Sequence, residues 1–126
     1  MQTRSVLVVD DNAAMRSALR EVFAREGDFE VCGEAENGRD AIEKAKQLHP
    51  ALIVTDLSMP LMNGLEETRI LKKLMPTVPV IIYSVHTGAI VLKEALDAGA
   101  SAVVSKSEAV AVLIGTAREL LDAIAA

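Results

Sequence analysis

Five short apolar runs alternate with segments of helical periodicity along this chain. The runs cover residues 5–9, 29–36, Leu52–Thr55, 80–83 and Ala102–Ser105. Most are continuous stretches of Val, Ile and Leu, which are typical of strands buried on both faces of a parallel sheet. The alternation therefore predicts a single α/β domain over residues 1–126. We expect a parallel sheet with right-handed crossovers and helices on both of its faces.

Local signals mark where several of the helices begin and end. Asn12 is a candidate cap for the first helix, and Gly27 is expected to end that helix. Residues 37–38, Asn-Gly, predict a turn after the second run, and residues 49–50, His-Pro, stop the second helix. The last helix is predicted to run from about residue 107 to residue 125.

Charge and composition argue against nucleic-acid binding, membrane insertion and secretion. The net charge is −5 and the thirteen Lys and Arg residues are scattered, so we expect this domain itself to bind no nucleic acid. The apolar runs are far shorter than the ~20 residues of a membrane helix, and Asp10 comes too early for a signal-peptide core. The lone Cys32 forms no intrachain disulfide. We therefore expect a cytoplasmic protein without membrane contact.

Polar residues follow four of the apolar runs. Asp10 and Asp11 follow the first run, Asp56 the third, Ser84 the fourth and Lys106 the fifth. The carboxyl ends of parallel strands meet at one edge of a sheet, where open α/β folds bind ligands. Three carboxylates within ~4 Å of one another would repel by ~1 kcal/mol per pair in water and ~4 near a protein surface. A bound cation would offset that repulsion, and oxygen ligands without His or Cys favour Mg²⁺.

The same edge could receive a phosphoryl group. Asp56 is the best candidate for a nucleophile, because a carboxylate can attack phosphorus to give an aspartyl phosphate. Lys106 would supply a fixed positive charge, Ser84 a hydroxyl donor, and the Ser58 carbonyl a further cation ligand. Taken singly, Asp11 could be only a helix cap, Ser84 a strand-end residue and Lys106 a solvated charge. The coincidence of all these residues at strand ends favours a site.

These motifs resemble the response-regulator receiver domain of two-component signalling, of the NarL/FixJ type or the single-domain chemotaxis type. The resemblance is carried by residues 6–11 (Val-Leu-Val-Val-Asp-Asp), residues 56–60 (Asp-Leu-Ser-Met-Pro), residues 63–64 (Asn-Gly), Ser84 and Lys106. It implies a flavodoxin-like, doubly wound five-stranded sheet in the order 2-1-3-4-5. It also implies a regulatory domain that is not an enzyme, although it assists its own phosphorylation and dephosphorylation.

The resemblance further assigns roles to individual residues. Asp56 would be the phosphoacceptor for a histidine kinase or phosphotransfer protein, with Lys106 contacting the phosphoryl group and Ser84 as the switch hydroxyl. Mg²⁺ would be held by side chains and one carbonyl, namely Asp10, Asp11, Asp56 and the Ser58 carbonyl. The output would act on a partner, or on an attached effector beyond Ala126 that binds DNA and regulates transcription.

Three positions depart from the family pattern. Val103 stands where Tyr or Phe is usual three residues before the lysine, so the aromatic half of the switch is absent or replaced. Val85 is larger than the small residue that commonly follows the switch hydroxyl, and we expect it to narrow access to Asp56. Lys106 is followed by Ser107 where Pro with a cis bond is common. A cis bond there would cost ~2.5–4 kcal/mol, so the bond is trans or the loop is strained.

The start of the last helix is apolar on all sides, from residue 109 to residue 114. Such a stretch is either covered by the rest of the domain or available for self-association. The sequence therefore leaves open a homodimer formed through this helix.

Other functions compete with the phosphorylation switch. A receiver-like domain that signals through protein contacts without phosphorylation is the main alternative. A small Mg²⁺-dependent phosphatase fits less well, because neither Asp56 nor Asp10 is followed two residues later by the second Asp that such enzymes use. A flavin-binding module is disfavoured too, because residues 10–13 would repel a nucleotide phosphate.

Overall fold

The computed structural model describes residues 3–125 as five strands and five helices in strict alternation. In chain order these are β1 (Arg4–Val9), α1 (Ala13–Ala24), β2 (Phe29–Ala35), α2 (Gly38–Leu48), β3 (Leu52–Thr55), α3 (Gly64–Leu74), β4 (Val80–Ser84), α4 (Ala89–Ala98), β5 (Ala102–Ser105) and α5 (Val110–Ala125). All strand pairs are parallel, and the sheet order is β2-β1-β3-β4-β5. The α/β class and the order implied by the resemblance are both confirmed.

The register of the sheet brings the carboxyl ends of the strands into line. Val9 at the end of β1 pairs with Thr55 at the end of β3, and Thr55 pairs in turn with Ile82. Ser84 at the end of β4 pairs with Ser105 at the end of β5. The residues that follow these positions are therefore neighbours in space.

Side chains alternate between two cores on the two faces of the sheet, as strand geometry requires. Val6 and Val8 belong to the core under α1 and α5, whereas Leu7 and Val9 belong to the core under α2 and α3. A smaller cluster around Ile82 lies beneath α4. Both faces are covered, which explains why the strands read as continuous apolar runs.

Asparagine caps begin the first two helices, and a residue before proline ends the second. Asn12 caps α1, and its side chain accepts a hydrogen bond from the Met15 amide at 3.0 Å. Asn37 caps α2 in the same way, so residues 37–38 start a helix directly instead of forming a separate turn. His49 ends α2 as predicted, and its left-handed backbone at φ 47° is a conformation common at helix C-termini.

Some predicted boundaries were wrong. Helix α1 ends at Ala24, with Arg25 as its C-cap, and does not extend to Gly27. Helix α5 begins at Val110, three residues later than predicted, because residues 106–108 form a turn and a bend instead. Strand β4 includes Ser84, so that residue ends the strand and does not follow it.

The structure also bears on the Lys106–Ser107 bond, on the apolar start of α5 and on membrane spanning. Within residues 3–125 no peptide bond is cis, so the Lys106–Ser107 bond is trans. The apolar residues at the start of α5 are only partly covered by the domain: Leu113 and Ile114 are buried, whereas Val110 and Val112 are each 41% exposed. No helix in the described part of the chain has the length and apolar character needed to span a bilayer.

Candidate functional site

Four polar side chains are held at the carboxyl edge of the sheet by backbone hydrogen bonds that continue the strand ladders. The Asp10 amide donates to the Ala35 carbonyl, and the Asp56 amide donates to the Val9 carbonyl at 2.9 Å. On the other side, the Lys106 amide donates to the Ser84 carbonyl at 2.9 Å. Each residue is thus placed by a neighbouring strand as well as by its own.

Three carboxylates meet at this edge. One oxygen from each of Asp10, Asp11 and Asp56 lies within 4.8 Å of the others. Asp10 is only 2% exposed, whereas Asp11 is exposed and Asp56 is half-buried. The side chain of Asp10 also accepts a hydrogen bond from the Asn12 amide at 2.9 Å, which fixes its direction at the start of α1.

Lys106 places its ammonium between two of these acids. Its Nζ lies 2.7 Å from Oδ2 of Asp10 and 3.5 Å from Oδ1 of Asp56. Burial acts to lower the pKa of Lys106, but the hydrogen bond and charge of Asp10, together with Asp56, outweigh it and raise the pKa above its ordinary value. Lys106 therefore remains charged and offsets one of the three negative charges.

Asp56 is an acid on which burial and neighbouring charges act in opposite directions. Burial raises its pKa above the usual value, and the charge of Asp10 acts in the same direction. The charge of Lys106 and a hydrogen bond from the Leu57 amide to Oδ1, 2.8 Å long, oppose that rise. A carboxylate in this setting has both desolvation and a nearby cation, two conditions found at reactive sites.

Ser84 is fully buried, and its hydroxyl oxygen accepts a hydrogen bond from the His86 amide at 3.0 Å. Its neighbour Tyr83 belongs to the core under α1 and α5, so the two side chains point to opposite faces of the sheet. Val103 packs against the cluster beneath α4, on the same side as Ile82. The Tyr83 ring therefore lies on the other side of the sheet from Val103.

The remaining predicted residues lie in the loops around this edge. Ser58 is exposed and stands two residues after Asp56, between β3 and α3. Val85 is 67% exposed in the loop before α4. The Val85 side chain therefore lies at the surface of the loop that follows Ser84.

The donor set fits a hard divalent cation. All three side-chain donors are carboxylates, which suit Mg²⁺ better than zinc. With Lys106 included, the formal charge of the group of four is still −2, so a divalent ion would bring it to neutrality. Mg²⁺ keeps several waters and needs few protein ligands, which agrees with the exposed position of Asp11.

Sequence reasoning missed one buried acid behind the site. Glu67 in α3 is fully buried, and its Oε1 lies 2.7 Å from the hydroxyl oxygen of Thr55, within hydrogen-bond distance. The signal was the helical period, because Glu67 lies four residues before the buried Leu71 and so on the same face of α3. A charged residue on an apolar face of a helix was the clue.

The similarity of this chain to known proteins agrees with this geometry. The chain matches the response regulator receiver domain over residues 6–118. It is 40% identical over 120 residues to a protein-glutamate methylesterase/protein-glutamine glutaminase of Methanosarcina acetivorans, with 94% of this chain but only 34% of that protein covered. It is also 40% identical over 97 residues to the chemotaxis protein CheY of Thermotoga maritima, with 77% of this chain and 80% of that protein covered.

A solved structure of similar shape comes from the two-component response regulators. A LuxR-family response regulator from Aurantimonas superposes with a TM-score of 0.93 at 28% identity, covering 97% of this chain and 87% of that one. The chain thus spans about a third of the methylesterase relative and most of the other two. The match along residues 6–118, together with the acidic edge of the sheet, shows that this chain belongs to the response regulator receiver domain family of two-component signalling.

Proposed function

We propose that this domain, residues 1–126, is a phosphorylation-dependent signalling switch in which Asp56 accepts a phosphoryl group from a phosphohistidine. The donor would be a histidine kinase or a phosphotransfer protein. The observation that carries the proposal is the approach of Lys106 and two further carboxylates to Asp56 at one edge of the sheet. The membership of this chain in the receiver family supports the same reaction.

The reaction is a displacement at phosphorus. A carboxylate oxygen of Asp56 attacks the phosphorus, the phosphorus–nitrogen bond breaks, and the imidazole nitrogen keeps the electron pair and takes a proton from water. The product is a mixed anhydride on Asp56 and a free histidine on the donor. Asp56 can act in this way only when ionised, and the nearby Lys106 favours that form.

Asp10, Asp11, Asp56 and the Ser58 carbonyl would hold Mg²⁺, which supplies positive charge for the oxygens of the phosphoryl group. Lys106 would move from its bond to Asp10 toward the new phosphoryl oxygens, where more negative charge collects. The Ser84 hydroxyl oxygen already accepts from His86, so its own hydrogen remains available to donate to a phosphoryl oxygen.

The change in contacts would alter the loops around the site and so control a partner or an attached effector. Differential contacts of a few kcal/mol at Ser84 and Lys106 suffice to shift two loop conformations that exist beforehand. The relatives differ in their outputs, since one is named a methylesterase, one a chemotaxis protein and one a LuxR-family regulator. Control of transcription through a DNA-binding effector is one form that this output would take.

The direct test is to incubate the protein with acetyl phosphate and Mg²⁺ and to measure its intact mass. We expect a gain of one phosphoryl group in the wild type and none in Asp56→Asn. Replacing Mg²⁺ with EDTA should also prevent the gain. The matched control is Glu94→Gln, which changes an exposed carboxylate on α4 outside the group of three aspartates and should be labelled like the wild type.

Three results would contradict the proposal. A wild type that stays unmodified with both acetyl phosphate and a phosphorylated kinase would favour signalling by protein contacts alone. A wild type that releases phosphate from many small phosphate esters with turnover would favour a phosphatase. Labelling that persists in Asp56→Asn would assign the acceptor to another residue.

A further inference from the structure

Glu67 is an acid with an unusual position for a charged residue. Its side chain has no solvent exposure, and it lies in the first turns of α3 beside the core that includes Ile53 and Leu71. Its neighbour Glu66, in contrast, is exposed and completes the capping box with Asn63. Within residues 3–125, Oε1 of Glu67 has Thr55 as a hydrogen-bond partner and Oε2 has none.

The hydroxyl of Thr55 connects this acid to the site. Thr55 Oγ1 lies 2.7 Å from Oε1 of Glu67 and 3.2 Å from the backbone carbonyl oxygen of Asp56. A hydroxyl group carries a single hydrogen. If Glu67 were ionised, that hydrogen would be drawn to the carboxylate, and the Asp56 carbonyl would receive little of it.

A protonated Glu67 accounts for both distances. The acid then donates from Oε1 to Thr55 Oγ1, and Thr55 donates its own hydrogen to the Asp56 carbonyl. The unpartnered Oε2 becomes a neutral carbonyl-type oxygen, which is far less costly to bury than half of a carboxylate. Burial raises the pKa of Glu67 to about 8, so strongly that a hydrogen bond donated by Thr55 to the carboxylate would not cancel the rise.

The Asp56 carbonyl that receives this hydrogen bond is confined on another side as well. A Cβ atom added to Gly64 would come within 2.2 Å of the Asp56 oxygen, so the start of α3 lies directly against that peptide. The next amide, that of Leu57, donates to Oδ1 of Asp56 at 2.8 Å. The orientation of this short backbone segment therefore sets the direction in which the Asp56 carboxylate points.

We propose that Glu67 is a positioning residue for the phosphoacceptor: as a buried hydrogen-bond donor it acts through Thr55 to fix the Asp56 peptide and the direction of its carboxylate. The inference rests on the proposed phosphorylation of Asp56. Misplacing a reacting group by about 1 Å costs up to ~100-fold in rate, so a hydrogen bond behind the nucleophile is a sensitive point.

The test uses variants that separate the donor from the bulk of the side chain. Glu67→Gln keeps an N–H donor, Glu67→Leu removes it at similar volume, and Thr55→Val removes the connecting hydroxyl. Leu71→Ala is the matched control, because it weakens the same core of α3 without touching the hydrogen bonds. Each variant is first shown to be folded by its circular dichroism and its urea unfolding curve.

The first measurement is the rate of phosphorylation by acetyl phosphate with saturating Mg²⁺. We expect Glu67→Leu and Thr55→Val to be slower by about tenfold, and the double variant to be no slower than either, because both remove one chain of hydrogen bonds. Glu67→Gln and Leu71→Ala should stay close to the wild type. A Gln variant as slow as the Leu variant, or a Leu variant as fast as the wild type, would overturn the inference.

The second measurement needs no phosphorylation. Hydrogen exchange of the Leu57 amide reports the bond to Oδ1 of Asp56, and the Ile53 amide, which donates to the Pro79 carbonyl, serves as the reference. In Glu67→Leu and Thr55→Val the Leu57 amide should exchange faster relative to Ile53, but not in Glu67→Gln. If the wild type is never phosphorylated, the proposed function fails, whereas an unchanged Leu57 ratio in Glu67→Leu refutes the positioning role by itself.

Discussion

Lys106 and Asp10 are 96 positions apart in the sequence, yet the lysine Nζ lies 2.7 Å from the aspartate Oδ2. The two side chains are 12% and 2% exposed, so this ion pair is mostly shielded from water. The lysine offsets part of the negative charge that Asp10, Asp11 and Asp56 bring to this edge of the sheet. The pair also gives the first prediction.

Replacing Lys106 with Met should destabilise the fold by roughly 2–4 kcal/mol, because the buried Asp10 loses its charge partner. Mg²⁺ should restore part of this loss by binding the same acids. The measurement is urea unfolding in EDTA and in Mg²⁺. Lys93→Met is the control, since the Lys93–Asp97 pair is exposed and its loss should lower stability far less than the loss of Lys106. Equal losses in the two variants would contradict the prediction.

Glu67 should make the protein less stable as the pH rises. Its pKa is about 8 in the folded protein against 4.5 as the ordinary value, so between these values the folded state binds more protons than the unfolded state. Stability should therefore fall between pH 4.5 and about 8, by roughly 3–5 kcal/mol in total. In Glu67→Leu this part of the pH dependence should vanish in urea unfolding, whereas the exposed Glu94→Leu should keep it. Parallel curves for the wild type and Glu67→Leu would show that Glu67 does not change its protonation on folding.

Two glycine substitutions should have opposite effects on stability. Gly64→Ala would place a methyl group 2.2 Å from the Asp56 carbonyl oxygen, which is backbone and cannot move aside, so we expect a loss of about 1–3 kcal/mol or more. Gly115→Ala meets nothing within 4 Å inside α5 and should gain about 0.5–1 kcal/mol. Thermal unfolding of both variants measures the difference. A Gly64→Ala protein as stable as the wild type would contradict the close approach of α3 to Asp56.

Val85 should lengthen the lifetime of the phosphorylated state. Its side chain lies in the loop that follows Ser84, and we expect its bulk to hinder the approach of water to the anhydride on Asp56. In Val85→Ala the phosphoprotein should lose its label faster, as followed by intact mass after removal of acetyl phosphate. Val112→Ala, an exposed valine on α5, is the control. An identical lifetime in Val85→Ala and the wild type would remove this role.

Self-association through the last helix stays a prediction of the sequence. The exposed valines Val110 and Val112 supply an apolar surface on α5, and Ile90 on α4 is 75% exposed. We expect a dimer in sedimentation velocity with beryllofluoride and Mg²⁺, and its loss in Val112→Asp. Leu74→Asp, at an exposed position of α3, should still associate. A wild type that is monomeric at every concentration, with and without beryllofluoride, would exclude the dimer.

Much of the fold was readable from local pattern. The apolar runs gave the strands because a sheet covered on both faces needs continuous apolar side chains, and β3 and β5 were placed with their observed bounds. Asn12 was recognised as a cap because its side chain can satisfy a free amide of the first turn. The predicted C-terminal end of α1 and the predicted start of α5 were wrong, because Gly27 and Ser107 are also compatible with the short turns found there.

The sequence by itself determined the order of the elements and the placing of Asp10, Asp11, Asp56, Ser84 and Lys106 at strand ends, because strand and helix periods are local properties of the chain. Only the tertiary structure decided that Asp10 is buried while Asp11 is exposed, and that Lys106 lies closer to Asp10 than to Asp56. It also decided that Glu67 lies behind Thr55, away from water. Such relations depend on distances between groups far apart in the sequence. Those distances are set by how helices pack on the sheet, which no local pattern records.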